Sequence, residues 1–167
     1  MTNAALLLLF PALMAFAASS DLLTMTISNR VSLILVAGFC GMAWLTGMSG
    51  SEMASHAGAA AAVLAVTFTF FAFGWIGGGD AKLAAATALW LGFDQLLDYA
   101  LAASIFGGLL TLLLMQFRMH PLPEMLARQS WVVRLHRMDS GIPYGIALAA
   151  AALSVYPESA WMKALSV

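Results

Sequence analysis

Residues 73–86 read FGWIGGGDAKLAAA, three consecutive glycines followed by Asp80 and Lys82 between two apolar runs. Gly inside a helix costs about 1 kcal/mol relative to Ala, so Gly77, Gly78 and Gly79 are expected to end one helix before the next begins. Irregular backbone at membrane depth is tolerated only where it is buried in protein or lines a watery cavity. A carboxylate within a span costs roughly 2.5–3.5 kcal/mol even on the lenient insertion scale. The stretch therefore has two readings. Asp80 caps the following helix, where a negative charge suits the positive helix end. Or the glycines open a bundle, with a carboxylate on the rim and bare backbone that another chain can approach.

Composition says what surrounds this stretch. The chain has 167 residues, of which 62% are hydrophobic and only 9% charged, and its mean hydropathy is +0.91. Soluble domains carry roughly 25% charged residues, so a water-exposed surface cannot be built here. The whole chain, 1–167, reads as one integral-membrane domain. A net charge of −1 offers nothing to nucleic acid, and one cysteine, Cys40, excludes a disulfide framework or a Cys-based zinc site within the chain. The N-terminal run has a signal-like AFAA at 15–18, but no Lys or Arg precedes its apolar stretch and further spans follow, so it reads as a retained first helix.

Apolar runs at 4–19, 31–48, 57–76, 81–91, 99–117 and 142–160 are candidate spans, against the about 20 residues a crossing needs. The fold class expected is all-α, a bundle of about six transmembrane helices with a short fourth helix after the Gly-rich break. Lys and Arg set the orientation. Loops one, three and five hold Arg30, Lys82, Arg118, Arg128, Arg134 and Arg137, whereas loops two and four offer Glu52, Asp94 and Asp98. This alternation places the basic loops in the cytoplasm and both termini outside. In the fifth loop, Leu122, Met125, Leu126, Val132 and Val133 share one helical face. That segment reads either as an amphipathic helix on the inner leaflet or as a solvated basic loop.

Two carboxylates stand apart from the rest. Asp21 ends the first apolar run and Asp80 the third, so the topology brings both to the cytoplasmic border although 59 positions separate them. Asn29 and Thr24 are candidate hydrogen-bond partners near Asp21. Lys82 either assists Asp80, contacts substrate or sets topology, and Pro143 and Tyr144 line a site or punctuate the start of the sixth helix. His56, His120 and His136 fall on different loops without metal-ligand spacing, so neither a metal nor a cofactor is expected. Three classes of function remain on the residues alone. One is hydrolysis by paired carboxylates; another is a small proton- or ion-coupled transporter with Asp21 and Asp80 as relay groups. The third is a non-catalytic assembly factor that would tolerate losing either aspartate.

The motifs carry a resemblance. GGGDAKL resembles the GxGD motif of intramembrane aspartyl proteases, and the trailing AKL points to the prepilin peptidase branch. Asp21, followed by LLTMT and then Ile27-Ser28-Asn29, is similar to that family's first aspartate and its Ile-Pro-Asn, with Ser28 in place of Pro. IPYGIALAAA at 142–151 is similar to the Pro-Tyr-Gly opening of the last helix in the compact Flp/Tad-pilus type of bacterial type IV pilus peptidases. The resemblance implies an aspartic endopeptidase of the inner membrane with Asp21 and Asp80 catalytic and Gly77, Gly78 and Gly79 giving the substrate backbone access. It implies prepilin-like substrates, with a basic leader before an apolar helix, and a place beside pilus assembly or secretion machinery. Relatives that also methylate the new N-terminus carry an added cysteine-paired domain, so proteolysis without methylation is expected. Two neighbouring carboxyls do not both ionise cheaply; the pair shares a proton, as in soluble aspartic proteases.

Overall fold

The computed structural model describes residues 2–163, with side chains from residue 8 onward. All regular structure among them is helical. Five longer helices come first: α1 (Thr2–Thr24), α2 (Asn29–Thr46), α3 (Gly50–Ala72), α4 (Gly78–Leu91) and α5 (Leu96–Met119). Two short ones, α6 (Glu124–Ala127) and α7 (Ser130–His136), precede α8 (Tyr144–Val155), a 3-10 turn (Tyr156–Glu158) and α9 (Ala160–Lys163). Helices α2, α3 and α5 are long and apolar enough to cross a membrane, and 8–24 adds a shorter apolar stretch. The protein is a helical membrane bundle.

Helix α4 is its axis. Apart from Lys82, every residue from Ala81 to Leu91 is buried. A helix apolar on all sides belongs inside, and five alanines among these residues let α2, α3 and α8 approach closely. Its 14 residues give about 21 Å at 1.5 Å per residue, short of the hydrocarbon thickness, as the apolar run suggested. Helices α3 and α5 lie outside and present Leu64, Phe68, Leu101, Ile105 and Leu109 outwards, as lipid-facing helices do.

At the end remote from the glycines, α4 is locked by indoles. Trp90 is 0% exposed, donates Nε1–H to the Leu35 carbonyl at 2.9 Å and lends its own carbonyl to Trp161 Nε1–H at 2.7 Å. Phe10, Phe39 and Trp161 pack around it. Trp90→Ala is expected to cost about 3–5 kcal/mol, read as lost resistance to denaturant in detergent micelles.

Three expectations about elements are revised. The sixth apolar run is not one helix: α8 stops at Val155, and Pro157 enters a 3-10 turn before α9. The fifth loop holds no continuous amphipathic helix. α6 and α7 are separate, Val132 and Leu135 turn into the protein, and Met125 stands 85% exposed. The third helix begins at Gly50 rather than 57, because Ser49 and Glu52 form a reciprocal capping box that draws the polar residues into its first turn.

Candidate functional site

Asp21 lies inside α1, not beyond it. The polar run around it is helical, and Ser19 and Thr24 satisfy their hydroxyls on the carbonyls of Ala15 and Ser20, at 2.8 and 2.7 Å, rather than competing for the backbone N–H groups. Helix α1 ends at Met25, which takes a left-handed φ of 57°, uncommon for a residue with a side chain. Asp21 is only 4% exposed. Its Oδ2 accepts the backbone N–H of Gly145, in the first turn of α8, at 2.7 Å. A charge-assisted bond of this kind fixes a carboxylate more firmly than a neutral one would.

Asp80 is the third residue of α4 and its Oδ2 accepts the Gly77 N–H at 3.3 Å. It therefore caps its helix weakly, as one sequence reading has it, and also faces a cavity. That cavity, about 420 Å³, is lined by both Asp21 and Asp80, with Met25, Trp75, Ile142 and Tyr144 among its walls. The two carboxylates are within electrostatic reach of each other. Asp21 and Asp80, 59 positions apart in the chain, thus share one site at one end of the bundle.

The glycines are arranged differently from the simple opening read in GGG. The left-handed break falls at Gly74, with φ 74°, whereas Gly78 and Gly79 already belong to α4. Each glycine of the triplet accommodates a specific neighbour. A Cβ on Gly77 would lie 3.0 Å from Asp80 Oδ2, one on Gly78 3.3 Å from the Phe71 ring, and one on Gly79 3.2 Å from Ile27 Cβ. Of the three, Gly77 lines the cavity; Gly78 and Gly79 let α3 and the α1–α2 turn close against α4.

The supporting residues sort themselves by their partners. Lys82 Nζ donates to Asn29 Oδ1 at 2.9 Å, so these two tie α4 to the start of α2 on the surface. Thr24 bonds Ser20 and Thr26. Ser28 caps α2 with φ −64°, within the range proline would impose, so the turn keeps a proline-compatible shape without one. Lys82→Met removes an exposed hydrogen bond of a kind that contributes about 0.5–1.5 kcal/mol to stability, so it is expected to destabilise the bundle by no more than about that amount, read as resistance to denaturant in detergent micelles. Tyr144 walls the cavity, and its hydroxyl lies 3.2 Å from that of Thr111.

His56 is far from this site, at the opposite end of the bundle, with Nδ1 2.7 Å from the Leu89 carbonyl. Among the described residues no three of His, Cys, Asp and Glu converge as metal ligands. Gly145 is the residue that sequence reasoning passed over. It stood within the Pro-Tyr-Gly motif, where its neighbours drew the attention.

A family model described as the type IV leader peptidase family matches residues 8–112. The match contains Asp21, Asn29, the glycine triplet, Asp80 and Lys82, and it ends before Tyr144 and Gly145. No curated protein and no solved structure matches the chain significantly.

Proposed function

Because the chain belongs to the type IV leader peptidase family, we propose that it is an aspartic endopeptidase that removes the leader of prepilin-like proteins at the cytoplasmic face of the bacterial inner membrane. The observation that carries this reading is the shared cavity: two carboxylates from α1 and α4 line one space of about 420 Å³. Asp21 and Asp80 are the catalytic pair. One takes a proton from water as its oxygen attacks the scissile carbonyl carbon; the other gives a proton to the carbonyl oxygen. The tetrahedral adduct then collapses, the C–N bond breaks, and the leaving nitrogen takes up a proton from the pair.

The site's place in the bundle supports the substrate class. Arg134 and Arg118 make their hydrogen bonds beside it, and Lys82 lies two residues from Asp80, so the carboxylates sit at the basic end. By the positive-inside rule that end is cytoplasmic, with both termini outside. A bond cleaved there lies just before the substrate's own membrane helix, the arrangement of a basic leader followed by an apolar helix. The mature product passes to pilus assembly or secretion machinery.

The test is cleavage by the purified chain in lipid nanodiscs of a peptide with a basic leader and apolar helix, the product identified by its new N-terminus. A single cut between leader and helix supports the proposal. Absence of any cut, with proton flux across vesicles containing the chain, would favour the transporter.

A further inference from the structure

Arg118 stands in the last turn of α5, where its charge alone fits a topology-setting role. Its bonds are more specific than that. Nε donates to the Leu135 carbonyl at 2.8 Å, and Nη2 donates to Ser140 Oγ at 3.0 Å and to the Gly141 carbonyl at 2.8 Å. One planar group thus gathers the end of α7 and the loop that follows it. The Ser140 hydroxyl has the Arg134 and Arg137 carbonyls as acceptors, at 2.6 and 2.8 Å. Arg134 in turn donates Nη1–H to the Leu23 carbonyl at 2.9 Å, two residues past Asp21 on α1.

This strap leads directly to the carboxylate pair. Gly141 and Ile142 line the cavity with Asp21 and Asp80. Gly145, three residues further, holds Asp21 through its N–H. The direction of that N–H depends on where α8 starts, and α8 starts where the gathered loop releases the chain.

We propose that Arg118 is a positioning residue for the reaction: its guanidinium holds the 135–141 strap so that the first turn of α8 meets Asp21 and the cavity wall is complete. This rests on Asp21 acting in the proposed cleavage. A lysine keeps the charge and hence the topology, but as a point charge it cannot span the divergent acceptors of a planar fork. Arg118→Lys therefore separates the two roles.

The experiment is a comparison of unmodified chain, Arg118→Lys and Ser140→Ala in nanodiscs, by cleavage kinetics and by amide hydrogen exchange. In Arg118→Lys, kcat is expected to fall about tenfold or more with KM within about threefold, and exchange to rise in 136–146 but not elsewhere. Ser140→Ala is expected to lower kcat about threefold in the unmodified chain and not further beside Arg118→Lys, because the two belong to one network. Cleavage by Arg118→Lys at the unmodified rate overturns the proposal. So does exchange that rises throughout the bundle while Ser140→Ala leaves kcat unchanged. If the unmodified chain cuts no leader peptide, the reading of the function fails, and exchange in 136–146 still decides whether Arg118 holds the strap.

Discussion

Asp21→Asn and Asp80→Asn are each expected to lower leader cleavage by about a thousandfold, within the range general acid–base groups contribute and equivalent to about 4 kcal/mol of barrier. The fold should survive both changes. Asn retains the side-chain oxygen that accepts the Gly145 N–H at position 21 and the oxygen that accepts the Gly77 N–H at position 80. What disappears is the exchangeable proton and the charge. Membrane levels and thermal unfolding should match the unmodified chain, so the loss is chemical. On the proposed mechanism the double substitution is expected to cost little more than either single one, since residues that act as a unit have strongly non-additive effects. Persistence of more than a tenth of the rate in either single variant would remove that aspartate from the mechanism.

Gly145→Ala is expected to lower the rate by about a hundredfold, although it adds only a methyl group. Its Cβ would come within 2.7 Å of Ile27 Cδ1 and 2.8 Å of Asp21 Oδ2. The Ile27 methyl is the end of a flexible side chain and can swing away. The Asp21 carboxylate cannot move without loosening the bond that orients it, and a misplacement near 1 Å costs on the order of 10² in rate. Gly41→Ala is the matched control: a Cβ there meets nothing within 4 Å, and in a helix Ala is favoured over Gly by about 1 kcal/mol. Single-turnover cleavage by both variants, at equal membrane levels, checks the contrast. Equal rates for the two would mean that the N–H of Gly145 does not hold Asp21 during the reaction.

The glycine triplet illustrates how far the sequence could be followed. From GGGD one reads a helix boundary followed by a carboxylate, and α4 does begin there with Asp80 in its first turn. The role of each glycine is not readable, because Gly78 and Gly79 answer to Phe71 and Ile27, contacts made across the bundle. Lys82 and Asn29 gave a similar result. Each was a candidate aid to a carboxylate, and they bond each other across 53 positions. Met25 carried no sign of its left-handed backbone, since neither Gly nor Asn occupies that place.

Composition and the spacing of apolar runs were enough to establish a helical membrane protein, because the cost of exposing or burying a side chain depends chiefly on its own chemistry. The alternation of basic and acidic loops brought Asp21 and Asp80 to one face for the same reason: each charge chooses water independently of its partners. Tertiary structure alone decided that Gly145 holds Asp21 and that Arg118 gathers 135–141. These depend on distances between segments far apart in the chain, where a methyl group or a few tenths of an ångström decides whether a bond forms. Such distances follow from how all the helices pack together, and no local pattern encodes them.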